Sequence, residues 1–322
     1  MDLKEKKEYI DKIRELARKK NAVIFAHYYS RPEIQETADF IGDSLALAQQ
    51  AARVQADILV MCGVHFMGET MKILCPDKKV LVPDLSAGCS LADSCKAEDL
   101  KKFIEEHQSP ITNHQSPIVV SYVNTSAEVK ALTDIVVTSS NARKIIEQLP
   151  KDAKIIFGPD YNLGSYINSV TGRDMILWNG ACHVHSRFSL EALLKLKAEN
   201  PGVEVLAHPE CKAPILAQSD VIGSTKKLLE YSISSDKKRF IIATESGIIF
   251  EMKRACPDKE FIPVPPEMTE GIGCSCNECE YMRMNTLEKL YTCLADEMPE
   301  IIVNEETARK AVVSIERMLQ MS

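Results

Sequence analysis

Long apolar stretches are missing from this 322-residue chain, and so are blocks of like charge. Its apolar runs, such as IVVSYV and RFIIA, fall far short of the roughly 20 residues that span a bilayer. No basic cluster offers a footprint for nucleic acid, and 39 basic against 46 acidic residues give a net charge of −7. The opening stretch MDLKEKKEYIDKIRELARKK is too charged for a secretory signal. Its Leu3, Ile10, Ile13 and Leu16 or Ala17 spacing predicts an amphipathic helix docked on the body. The expectation is a cytoplasmic protein with neither membrane nor nucleic-acid partners. No Gly/Ser linker interrupts the chain, so its units are expected to pack tightly.

Cysteine, by contrast, is abundant. Eleven cysteines, an odd number, in a chain large enough to build its own core argue against a disulfide framework and toward metal or redox chemistry. Some have a plainer reading. Cys62, Cys211 and Cys293 read as small buried apolar residues, and Cys75 and Cys256 occupy matching CPDK turns that repeat packing explains.

Three segments read as copies of one unit, and each ends at a cysteine. The first runs from AVIFAHYY to GCS at Cys89, and the second from IVVSYVNTS to NGACHVH at Cys182. The third runs from VEVLAHPEC to the cysteine group ending at Cys279. Apolar runs at 22–26, 57–61 and 79–82 alternate with helical patterns. The same alternation recurs at 118–123, 134–138 and 154–157, and at 203–207, 239–243 and 260–264. Such alternation predicts an α/β protein of three pseudo-symmetric βαβαβ domains with parallel sheets. We place them at 1–105 (with the N-terminal helix), 106–186 and 187–322 (with the tail helices). HQSPITNHQSP, at 107–117, reads as a surface loop.

Ligands of parallel α/β units bind beyond the carboxyl ends of the strands. The candidates there are His27, Tyr28 and Tyr29, then Tyr122 and Asn124, then His208 and Glu210. Small hydroxyl residues follow the next runs: Thr138, Ser139 and Ser140 in the second unit, and Thr244 and Ser246, with Glu245 between them, in the third. Gly42-Asp43-Ser44 and Gly223-Ser224-Thr225 lie in comparable connections. Each hydroxyl is explained by helix capping alone; as a repeated set they equally describe an anion site at helix N-termini. His183 and His185 flank Cys182 and face the same choice between pocket wall and structural residue.

One cysteine per unit, Cys89, Cys182 and Cys279, gives a three-thiolate site converging on the pseudo-threefold axis, with a fourth position open. Soft thiolates suit an iron–sulfur cluster or zinc, and the pattern alone does not choose between them. A closed zinc knuckle needs a second CxxC group, which the sequence lacks; Cys95, six residues after Cys89, fits poorly.

AHYYSRPEIQETADFIGDSLALAQQA, GVHFMGETMKIL, SYVNTSAEVKALTDIVVTSSNA, FGPDYNLGSYI, CHVHSRF, AHPEC, DVIGST and CEYMRMNTLEKLY together resemble the quinolinate synthases, iron–sulfur enzymes of NAD biosynthesis, over nearly the whole chain. The resemblance implies three α/β domains in a triangle around a 4Fe-4S cluster held by Cys89, Cys182 and Cys279. It implies condensation of iminoaspartate with dihydroxyacetone phosphate to quinolinate, phosphate and water, with one open iron as Lewis acid. It further implies catalytic roles for Tyr29, Tyr122, Glu210 and His208. Substrate contacts are implied for His27, Ser44, Met67, Asn124, Ser139, His185, Ser224 and Thr225, and an aspartate-oxidising enzyme as source of iminoaspartate. The chain departs from the family pattern at Tyr28, Ser30 and His65, and it has CxCxxC where some members have CxxCxxC. A non-enzymatic iron–sulfur sensor is the alternative, disfavoured because no DNA-binding motif carries an output. A structural zinc site is a third reading, and it leaves the strand-end His, Tyr and Glu residues unexplained.

Overall fold

The computed structural model describes residues 3–108, 116–267 and 277–322. Among the described residues, twelve strands form three separate four-stranded sheets. The first holds β1 (Ala22–His27), β2 (Phe40–Gly42), β3 (Ile58–Cys62) and β4 (Lys79–Leu81); the second β5 (Ile118–Tyr122), β6 (Ile135–Val137), β7 (Ile155–Gly158) and β8 (Ile176–Leu177). The third holds β9 (Glu204–Ala207), β10 (Val221–Ile222), β11 (Arg239–Ala243) and β12 (Glu260–Pro263). Their orders are β2-β1-β3-β4, β6-β5-β7-β8 and β10-β9-β11-β12, and every pairing within them is parallel. The expected threefold α/β architecture is the one observed. Central strands are Val/Ile-rich and buried along their length because helices cover both faces.

Three short strands, β2, β8 and β10, escape the sequence pattern. A repeated side chain marks the edge strand of each sheet. Asp39, Asp134 and Asp220 immediately precede β2, β6 and β10. Each carboxylate accepts a first-strand N–H: from Ile24 at 2.8 Å, Val119 at 2.8 Å and Val205 at 2.7 Å. The residues after the edge strands are therefore equivalent. Thr138-Ser139 matches Asp43-Ser44 and Ser224-Thr225, not Thr244-Glu245, which follows the third strand of its sheet.

The expected N-terminal helix forms at Leu3–Lys19 and buries Ile10, Ile13 and Ala17. Cys75 and Cys256 cap two helices at matching turns, and their thiols face the Ala51 and Ser232 carbonyls. In the helix Tyr161–Thr171, Gly164 lets β7 and β8 approach: a Cβ there would meet Leu177 at 2.7 Å and Phe157 at 2.9 Å. The tail helices do not stay with the third sheet. Helix Leu287–Asp296 packs on Leu3–Lys19 and sends Leu287, Leu290 and Leu294 into the core under β1 and β3. Helix Glu305–Met321 lies against Ala127–Ala131 and β6. Cys274, Cys276 and most of HQSPITNHQSP lie outside the described residues. Among the described residues, no helix is long and apolar enough to cross a membrane.

Candidate active site

All three sheets aim the ends of their first strands at one cavity. Its walls carry His27 at the end of β1 and Tyr29 beyond it, Tyr122 at the end of β5 and Asn124 beyond it, and His208 and Glu210 beyond β9. Local geometry repeats between copies. The Tyr29 N–H donates to His27 Nδ1 at 3.2 Å, and the Glu210 N–H to His208 Nδ1 at 3.4 Å. Both rings are thus tied through Nδ1 to their own backbones, which leaves the proton of the neutral ring on Nε2.

Glu210 is the hub. Tyr122 Oη donates to its Oε1 at 2.5 Å, and His185 Nδ1 lies 3.1 Å from its Oε2. Burial pushes the Glu210 carboxyl up, but the His185 and His208 rings and the Tyr122 hydroxyl outweigh it and hold it below the usual range. Burial also lowers His27 to about 4 and His208 to about 3, so both are neutral near pH 7. The Tyr29 and Tyr122 phenols are pushed well up, again chiefly by burial, and stay protonated. A second chain of contacts runs through Thr244, whose Oγ1 meets Tyr29 Oη at 2.8 Å and His185 Nε2 at 3.0 Å. Tyr29 Oη also meets Thr225 Oγ1 at 2.8 Å.

Ser44, Ser139 and Thr225, the matched residues after the edge strands, all reach the cavity wall. Ser224 does not; its hydroxyl accepts the Lys227 N–H and caps the helix Thr225–Ser234. Met67 also lies behind the wall, in a small pocket with Ser44 and Phe66. Sequence reasoning named Asp43, Thr244 and Glu245 only within the set read as helix caps or an anion site; the cavity holds Asp43 and Glu245, and Thr244 ties Tyr29 to His185. The Asp-apolar-apolar pattern at residues 39, 134 and 220 is the signal that aligns the edge strands and finds Asp43. A wider depression adjoins at Asp43 and Ser139, and Arg143, Lys144, Lys226 and Lys227 line it.

Cys89, Cys182 and Cys279 line the same cavity, each in the connection after the fourth strand of its sheet. They are half-buried free thiols. Burial pushes Cys89 up to about 11 and Cys279 to about 12; it also raises Cys182 well above its usual range, with Glu210 and then Cys89 and Cys279 adding to the shift. Three soft donors that repel one another as thiolates and face a common space fit an electron-poor metal group. Cys182 Sγ also stands 3.2 Å from His185 Nδ1, and with Glu210 these form a compact Cys-His-Glu group.

A family model described as Quinolinate synthetase A protein matches residues 11–320. The chain belongs to that family. A quinolinate synthase of Microcystis aeruginosa is 54% identical over 310 residues, which cover 96% of this chain and 94% of that one. One from a Synechococcus species is 55% identical over 302 residues, 94% and 91% of the two chains. One from Chloroherpeton thalassium is 52% identical over 312 residues, 97% and 94%. Every cavity residue named above falls inside the matched span of this family.

Proposed function

We propose that the chain is a quinolinate synthase that condenses iminoaspartate with dihydroxyacetone phosphate, using a 4Fe-4S cluster held by Cys89, Cys182 and Cys279. The products are quinolinate, one phosphate and two waters. The observation that carries this reading is the convergence of three repeat-equivalent cysteines on a cavity whose other walls are His, Tyr, Glu and hydroxyl side chains, in a member of this family. Iminoaspartate is supplied by an aspartate-oxidising enzyme, which places the reaction in NAD biosynthesis.

Each group has a task that its chemistry suits. Ser44, Ser139 and Thr225 offer hydroxyl donors to carboxylate or phosphate oxygens, and Asn124 orients the substrate. The cationic rim draws in the two dianionic substrates although the whole chain is negative. Glu210, kept anionic, accepts a proton, and the Tyr122 hydroxyl it already holds returns one, which suits the isomerisation and dehydration steps. Neutral His27 and His208 donate through Nε2 without adding fixed charge. The Tyr29–Thr244–His185 chain can relay a proton toward the same Glu210, whose Oε2 lies 3.1 Å from His185 Nδ1. When bound, the cluster supplies Lewis acidity that eases loss of hydroxide as water. Glu210→Gln tests the assignment: iron content should stay at the parental level while quinolinate formation falls at least about a hundredfold. Parental turnover in that variant would remove Glu210 from the mechanism.

A further inference from the structure

Two buried carboxylates outside the catalytic group occupy matched positions. Asp160 stands two residues beyond β7 and Glu245 two beyond β11, and neither has exposed surface. Each divides its oxygens in the same way. Asp160 Oδ1 accepts the Leu163 N–H at 2.7 Å, in the first turn of Tyr161–Thr171, and Oδ2 accepts the Cys182 N–H at 3.2 Å. Glu245 Oε2 accepts the Gly247 N–H at 2.7 Å, at the start of Ile248–Ala255, and Oε1 accepts the Cys279 N–H at 3.0 Å. The first sheet does the same job without a carboxylate. Val64 holds the equivalent place, and the next residue, His65, donates its N–H to the Ala87 carbonyl at 2.7 Å, two residues before Cys89.

We propose that Asp160 and Glu245 are positioning residues that latch the Cys182 and Cys279 loops to the rigid strand–helix junctions and so hold the cluster in place. The inference rests on the reading of these cysteines as cluster ligands. Burial raises Glu245 to about 8 and Asp160 well above its usual range, and the backbone N–H donors on both oxygens of each group oppose that rise by favouring the ionised, twofold-accepting form. An isosteric amide has one accepting oxygen and one donating nitrogen, so one of the two N–H groups must lose its partner and face a donor. The thiols themselves are untouched by such a change. The loop that carries each ligand is what loosens, and the cluster becomes easier to strip.

The test uses anaerobically purified holoprotein. Asp160→Asn and Glu245→Gln are compared with the parent and with Glu251→Gln, a buried carboxylate that pairs with Arg254 away from the cysteines. Iron transfer to a chelator should run roughly tenfold faster in the two latch variants, the scale set by one buried N–H left unsatisfied. Their reduced clusters should give shifted electron paramagnetic resonance spectra, and Glu251→Gln should match the parent in both measurements. A latch variant isolated without iron, yet with a native circular dichroism spectrum and no uptake on reconstitution, supports the latch equally. A parent that holds a cluster, with latch variants matching it in release rate and spectrum, overturns the latch alone. A parent with no iron–sulfide cluster overturns the reading beneath it as well.

Discussion

Replacing Tyr122 by Phe removes one hydroxyl, which donates to Glu210 and also interacts with Ser139. The ring is buried and Phe refills its space, so only the hydroxyl is lost. In the parent that hydroxyl reaches Glu210 Oε1 at 2.5 Å. The nearest alternative on that oxygen, His208 Nδ1 at 3.6 Å, is too far for a hydrogen bond. His185, on the other oxygen, then remains as the side-chain donor to Glu210. A hydrogen bond to a buried charge contributes about 1.5–3 kcal/mol, and if it persists in the transition state its loss slows turnover roughly 10- to 150-fold. Tyr29→Phe is the internal comparison. Its hydroxyl is shared between the neutral Thr225 and Thr244, so the loss should be nearer 1 kcal/mol, about fivefold. The assay is anaerobic quinolinate formation at saturating substrates, normalised to iron bound. Parental kcat in fully iron-loaded Tyr122→Phe, or a larger loss in Tyr29→Phe, would refute the reasoning.

Two further outcomes follow from buried groups. Cys89→Ala should lose both the cluster and turnover, because Cys89 lines the cavity, whereas Cys75→Ala should keep both, because its thiol meets only the Ala51 carbonyl; iron analysis and activity decide. Lys130 is fully buried, donates to the Thr125 carbonyl and lies 5.4 Å from the Phe66 ring centroid, which braces the loop carrying Asn124. Burial lowers it from 10.5 to about 8, so the unfolded chain binds more protons between those values and folding stability rises with pH there. Lys130→Met should remove that rise, worth about 3 kcal/mol across the window relative to the parent, as read by urea unfolding at several pH values. Parallel pH curves for the two proteins would contradict it.

Much of the architecture is legible because central strands must be apolar on both faces. VIFA, ILVMC and FIIA are read without a structure. The misses have one physical origin. Edge strands of two or three half-buried residues need few apolar side chains, so β2, β8 and β10 leave almost no pattern. Without them the second copy slips by one strand, and Thr138-Ser139 is matched with the wrong partners. The strand-end rule locates His27, Tyr29, Tyr122, Asn124, His208 and Glu210 because a parallel sheet presents its carboxyl ends together. It brings up Glu245 only as the neighbour of the Thr244 and Ser246 hydroxyls and misses Asp160 altogether, because the partners of both are backbone groups in loops farther along the chain. Nor does amphipathicity say which sheet a helix covers: Glu305–Met321 follows the third sheet in sequence and packs against the second.

The central claim is that three cysteines, one from each repeat, hold a cluster at the head of this cavity. Purification without oxygen, followed by counts of iron, acid-labile sulfide and zinc per chain, tests it most directly. About four irons with matching sulfide in the parent, and none in Cys89→Ala, is the predicted result. Zinc alone, persisting after anaerobic reconstitution with iron and sulfide, would contradict it.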